Sequence, residues 1–124
     1  MVACYVVDTS AWVEFFEGNK EFRSLMAGMK LKTPLLVLGE LVRVFSRQGW
    51  PEDEIAAGIE NVKANSTIVT LSERQVIDAG KLSLKGKFSF VDALHYSFAS
   101  ESEHFLTSDS GLKELKNVKY VKVS

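Results

Sequence analysis

Cysteine is nearly absent from this chain of 124 residues, where Cys4 stands alone. A single cysteine excludes an internal disulfide framework and any cysteine-cluster zinc site. Two histidines, His95 and His104, leave little for a histidine-based metal centre. Two prolines and eight glycines are too few for a linker or low-complexity protein. No apolar run approaches the roughly 18 residues of a membrane span. The first residues carry no basic region and meet a charge at Asp8, unlike a secretory signal. These absences predict a soluble, cytoplasmic protein with no membrane association. Neither sign of charge dominates: 15 basic and 16 acidic side chains leave a formal −1, which argues against a uniformly basic nucleic-acid binder. The balance is also compatible with segregation. With four of the acids pooled in one pocket, the remainder carries +3 and suits a polyanion once cations neutralise the pocket.

What is present predicts one globular domain over residues 1–124, with 46% hydrophobic and 25% charged residues. Ala3 to Val7 reads as a buried strand, and Asp8-Thr9-Ser10 offers N-caps for a short helix over Ala11 to Phe16. Phe22, Leu25, Met26 and Met29 follow helical spacing. Thr33-Pro34 predicts a cap and first turn for a helix running to about Gln48, stopped by Gly49, and Pro51 predicts the start of the next. Thr67 to Leu71 reads as the second strand. Ser72 with Gln75, and Ser89 with Asp92, carry the capping-box pattern for two helices, the first ending near Gly86. His104 to Thr107 reads as a third strand, Ser110 to Leu115 as a helical turn, and Tyr120 to Val123 as a last strand. Strands separated by helices predict an α/β fold with a small parallel sheet, its first two strands separated by a four-helix insertion or helical half. In such sheets ligands bind beyond the carboxyl ends of the strands, where Asp8 and Asp109 fall.

Four acids are candidates for chemistry, each with a structural alternative. Asp8 also suits a helix cap, and on position alone the cap outweighs a ligand role by about two to one. Glu40 lies in Leu35-Leu36-Val37-Leu38-Gly39-Glu40-Leu41-Val42-Arg43-Val44-Phe45, apolar on nearly every helical face, which predicts a buried helix, with Gly39 suggesting close backbone packing. The alternative is a polar stripe pairing Glu40 with Arg43 or Arg47. Asp92 completes a capping box, and Asp109 can cap the turn after its strand. Their joint placement raises the odds of a common cleft. Clustered carboxylates without histidine or cysteine suit Mg²⁺ or Mn²⁺, which activate water and neutralise a phosphate. A phosphoaspartyl phosphatase would need an acid at position ten, where Ser10 stands. A receiver domain would need paired acids and a late lysine, and a dinucleotide site a glycine-rich first turn, and neither is present.

At these residues the sequence resembles the PIN-domain nucleases, most of all the short VapC-type toxins of toxin–antitoxin pairs. The matching pieces are Val-Val-Asp8-Thr9-Ser10, Gly39-Glu40-Leu41, Phe90-Val91-Asp92-Ala93 and Leu106-Thr107-Ser108-Asp109, in order along essentially the whole chain. The resemblance implies an α/β/α sandwich with a small parallel sheet and a Mg²⁺- or Mn²⁺-dependent endoribonuclease. It implies Asp8, Glu40, Asp92 and Asp109 as the catalytic and metal-binding acids, with Ser10 and Thr107 as supporting hydroxyls. RNA is the implied substrate, and a cognate antitoxin protein and a second copy of the chain are the expected partners. The alternative is a catalytically inactive domain of this fold acting as a protein- or RNA-binding module. Where family members often carry a further acid two residues past Asp109, this chain has Gly111. His95 and Tyr96 fall where small or aliphatic residues are common, and packing is the default expectation for both. Trp12, Phe15 and Phe16 could stack bases or receive an antitoxin helix, although core is the preferred reading. With Val44 and Phe45 they exceed what a small core needs, which predicts apolar surface near the first helices and the third. Lys81, Lys85 and Lys87 could touch phosphates or simply solvate a helix end. Glu52-Asp53-Glu54 reads as first-turn acids after Pro51.

Overall fold

In the computed structural model, residues 1–86 and 88–123 are described, and Lys87 lies outside them. These residues form β1 (Cys4–Val7), α1 (Thr9–Phe16), α2 (Lys20–Met26), β2 (Lys30–Pro34), α3 (Leu35–Arg47), α4 (Glu52–Asn65), β3 (Thr67–Val69), α5 (Glu73–Ser83), α6 (Phe90–Tyr96), β4 (Glu103–Thr107), a 3₁₀ turn (Ser110–Leu112) and β5 (Val118–Tyr120). The five strands make one parallel sheet in the order β3-β2-β1-β4-β5. Helices cover both faces, giving the expected α/β/α sandwich. Side-chain alternation along β1 shows the two layers: Tyr5 and Val7 join the core beneath α1 to α4, and Val6 joins the one formed with Phe105 and Leu112.

The order of strands positions the site. The chain steps outward from β1 through β2 to β3, then crosses back to β4 and continues outward to β5. The sheet therefore switches direction between β1 and β4, and a crevice opens beyond the carboxyl ends of that pair. Asp8 and Ser108 are the residues that leave these two strands.

Several expected boundaries move. Lys30–Pro34 is a strand between β1 and β3, so no four-helix insertion separates the first two strands. Pro34 and Pro51 are N-cap residues rather than first helical residues. The α5 helix ends at Ser83, and β5 ends at Tyr120 with Val121 buried just beyond. Gly49 does stop α3, at φ 87°. Its N–H donates to Ser46 O and that of Trp50 to Phe45 O, both at 3.0 Å, and the Trp50 ring stacks on Phe45 at 4.0 Å. This is a Schellman stop with its usual apolar contact.

The first-helix aromatics are core. Trp12 and Phe45 are fully buried, and Phe15 and Phe16 pack against them in edge-on contacts. Trp12 Nε1–H donates to Thr33 Oγ1 at 3.1 Å. Ser66 O–H donates to Val62 O, which leaves Thr33 O–H to donate to Ser66 Oγ at 2.7 Å. The buried indole is thus satisfied by a chain that ties α1 to β2 and α4. The α3 helix, by contrast, is not buried all round: Val37, Leu41 and Phe45 face the core, while Leu35, Leu36 and Val42 are exposed. A Cβ added at Gly39 would meet nothing within 4 Å, so that glycine does not serve close packing inside this chain. No helix among the described residues is long and apolar enough to cross a membrane.

Candidate active site

Asp8 sits where the central strand β1 gives way to α1. Its backbone is held as strand on one side, donating to Leu106 O at 3.0 Å, and as helix cap on the other, accepting from Ala11 and Trp12. Oδ1 accepts from Thr9 N at 2.9 Å, so the capping reading is correct as far as it goes. Oδ2 accepts from Thr107 O–H at 2.7 Å and lies 3.2 Å from Ser10 Oγ. The protons can be assigned. Thr107 Oγ1 receives Asp109 N–H at 3.0 Å and gives its own proton to Asp8, and Ser10 Oγ receives Ser108 N–H at 3.0 Å. Ser10 then directs its proton at Asp8 or at Thr107. The two hydroxyls expected to support the site therefore lock the β1 and β4 exits together around one carboxylate.

Asp8 is only 4% exposed. Burial drives its carboxyl up to about 6, with the Asp92 charge adding to the rise, against the lowering effects of the Thr107 hydrogen bond and of His95. Glu40 behaves in the opposite way. Burial pushes its carboxyl up, but hydrogen bonds from His95 and Thr9 outweigh this and hold it below the usual value. Its Oε1 accepts from Thr9 O–H at 2.6 Å and meets His95 Nε2 at 2.5 Å. The expected partners for a structural Glu40, Arg43 and Arg47, form no ion pair with it among the described residues.

Asp92 lies in the first turn of α6. Ser89 Oγ accepts from Asp92 N at 3.1 Å, but among the described residues the reciprocal bond of a capping box is not made. The Asp92 carboxylate thus has no protein hydrogen bond there and is left to the cleft. In α5 the full box does form, with Gln75 answering Ser72. Asp109 caps the 3₁₀ turn through Oδ1, which accepts from Gly111 N at 2.9 Å. The residue that replaces a further acid here thus supplies a backbone donor to the acid before it.

All four sequence-predicted acids line one open cleft of about 310 Å³, with Thr9, Ser10, Val13, Glu14, Val44 and Ser108. Glu14 was not anticipated. It lies four residues after Ser10 on α1, on the same helical face, and that spacing was the available signal. His95 was expected to be packing and is instead a polar partner of Glu40. Tyr96 does pack, edge-on to Phe105, with its hydroxyl donating to Lys116 O at 2.8 Å.

The donor set tests the fit of a cation. Every polar side chain lining the cleft offers carboxylate or hydroxyl oxygen, the chemistry of Mg²⁺ and Mn²⁺. Among the described residues no lysine or arginine pairs with Asp8, Glu14, Asp92 or Asp109. A divalent ion would offset the charge of a buried carboxylate that lies beside a second acid and has no such partner. By chemistry and charge the site fits one. The acids share a cleft rather than a closed cage: among the described residues no three acidic, histidine or cysteine side chains are gathered closely enough to enclose an ion.

Residues 5–118 match the sequence model of the PIN domain. A search of curated proteins finds no match. Among solved structures, a toxin–antitoxin complex from Klebsiella pneumoniae superposes with a TM-score of 0.72 at 14% identity, over 98% of this chain and 99% of that one. VapBC2 from Rickettsia felis, bound to a promoter DNA fragment, gives 0.73 at 15% identity, over 96% and 98%. VapC20 from Mycobacterium tuberculosis, described as a sarcin–ricin-loop-cleaving toxin, gives 0.60 at 20% identity, over 76% and 78%. At these identities the likeness is one of fold.

Proposed function

The chain belongs to the PIN-domain family, and from that premise we propose that it is a Mg²⁺- or Mn²⁺-dependent endoribonuclease, the toxin of a toxin–antitoxin pair. The observation that carries the proposal is the cleft itself: four acids from four separate segments of the chain line it without a lysine or arginine counterion among the described residues. Asp8 and Asp109 stand at rigid strand exits and are the principal candidates to hold a cation, with Glu40 and Asp92 completing its surroundings. A metal held there would supply an activated water and offset phosphate charge. The protein's own part is positional. Thr107 and Ser10 fix Asp8, Gly111 N–H fixes one oxygen of Asp109, and Thr9 with His95 fixes Glu40.

The test is cleavage of a structured RNA by the purified protein. Cleavage is expected with Mg²⁺ or Mn²⁺ and should stop when EDTA is added. Cleavage that persists in EDTA would assign the nuclease to a contaminant, and none under any metal would leave the binding-module reading.

The exposed apolar side of α3 supports the proposed partners. Leu35, Leu36 and Val42 are each more than 40% exposed, and Gly39 between them leaves room for close approach by another chain. Beside it, Val42, Ile55, Ala56 and Ile59 line a groove of about 510 Å³ between α3 and α4. We assign the first surface to a homodimer and the groove to an apolar segment of the antitoxin. Val42→Asp should shift the protein from dimer to monomer in light scattering while leaving its circular dichroism unchanged. A wild-type monomer at high concentration would refute the dimer.

A further inference from the structure

His95 is a buried polar ring, 1% exposed, on a helix whose other buried residues are Ala93 and Leu94. Such a ring is costly in apolar surroundings unless it is bonded. The ring also borders a separate small pocket of about 230 Å³ that reaches the surface at Leu35 and Leu36 and is otherwise lined by Pro34, Thr70, Leu71, Leu94 and Phe98, which offers the ring no charged partner. Its side-chain hydrogen bond goes the other way, from Nε2 on α6 to Oε1 of Glu40 on α3, 55 residues earlier. Glu40 is ionised at neutral pH and can only accept, so Nε2 carries the proton and donates.

The same oxygen also accepts from Thr9 O–H. Two donors on Oε1 leave Oε2 without a protein hydrogen bond among the described residues. A glutamate side chain that is 38% exposed would otherwise sample several rotamers into solvent. Here one edge of the carboxylate is gripped by two elements, and the rest of the side chain lines the acid cleft. The α6 helix thereby contributes twice: Asp92 directly, and His95, three residues later, through Glu40.

Resting on the nuclease reading above, we infer that His95 is a positioning residue of the site, whose Nε2–H and the Thr9 hydroxyl together fix Glu40 with its free oxygen available to a divalent cation. His95 touches neither substrate nor cation. Removing it should release Glu40 and weaken cation binding, while the apolar packing around the ring tolerates another aromatic.

The test compares His95→Phe, which keeps a buried ring and deletes the donor, with His95→Gln, which restores an N–H at similar reach. Mn²⁺ binding to the full chain is measured by isothermal titration calorimetry, beside the Mn²⁺ concentration for half-maximal RNA cleavage. His95→Phe is expected to weaken Mn²⁺ binding about 10- to 100-fold, the range seen when a ligand loses its outer partner. The half-maximal concentration should rise in parallel and the maximal rate should change less. His95→Gln should recover most of the affinity. Wild-type affinity in His95→Phe, with only thermal stability reduced, would make the residue packing and overturn the inference, as would His95→Gln binding no better than His95→Phe. Should His95→Phe fail to fold, the imidazole ¹⁵N resonances of the wild type decide. A protonated Nε2 that shifts on adding Mg²⁺ supports the inference, and a bare or unresponsive Nε2 overturns it. Wild-type protein that neither binds Mn²⁺ nor cleaves RNA fails the nuclease reading and this inference with it. Binding that is insensitive to His95 fails the inference alone.

Discussion

Asp8→Asn is expected to lower RNA cleavage by about a thousandfold, more than the ten- to hundredfold typical of losing a ligand's outer partner. In metal-free buffer at pH 7 it is also expected to make the protein more stable. Asn is nearly isosteric and caps a helix as well as Asp does, so the α1 start survives. What changes is charge and one acceptor: the amide oxygen can keep the Thr9 N–H, and the amide nitrogen then faces the Thr107 and Ser10 hydroxyls, which must turn to accept from it. The Asp8 carboxyl is raised by burial to about 6 in the fold, from an ordinary value of 3.8. A raised acid binds its proton more tightly folded than unfolded, so its contribution to stability is complete below about pH 4 and is lost as pH rises through about 6. The variant carries no such dependence. Its melting temperature should match that of the wild type near pH 4 and exceed it progressively toward pH 7, by about 1–3 kcal/mol in stability. Thermal melts in EDTA across that range measure the crossover. Equal melting temperatures at pH 7 would show that Asp8 is not a strained carboxylate. Full cleavage by the variant would remove it from the site.

The second large effect is on stability alone. Trp12→Ala should cost about 3–5 kcal/mol, because it empties a fully buried aromatic site and strips Thr33 of its indole donor. For a chain of this length the midpoint should fall by roughly 10–20 °C. Trp12→Phe should recover the packing part and leave a smaller deficit from the lost hydrogen bond. A loss below about 1 kcal/mol for the alanine variant, read from denaturant melts, would mean that the site collapses around the gap. The same loss would also contradict Trp12 as the hub that joins α1 to β2 and α4.

The acids at strand exits could be read from the sequence because a strand end fixes where a side chain points. Asp8 and Asp109 needed only their local neighbours to be placed. The capping alternatives were also real: Asp8 and Asp109 both cap, and a cap leaves carboxylate lone pairs to spare. The β2 strand was missed because Lys30-Leu31-Lys32-Thr33-Pro34 lacks the apolar run that parallel strands usually show. Its polar half lies toward the amino-terminal edge of the sheet, where Lys32 pairs with Glu103 of β4. The α3 helix misled in another way. A sequence apolar on every face looks buried whether the neighbour belongs to the same chain or to another, and half of that surface is exposed in the single chain. His95 was out of reach because its partner is 55 residues away, and nothing in the run Ala93-Leu94-His95-Tyr96 distinguishes a packed ring from a bonded one.

The strand order has a consequence for the way the molecule comes into being. Asp8 leaves the ribosome well before Thr107, the hydroxyl that closes on it, which is 99 positions later, on the strand that must slot in beside β1. Synthesis runs from the amino terminus, and contacts of such long separation form late. The β1, α1 and α3 segments are made before β4, and the crevice lacks one wall until β4 docks. Whatever chemistry the cleft performs, a nascent chain that still lacks residues 103–109 cannot perform it, because the wall that β4 supplies has not yet been made.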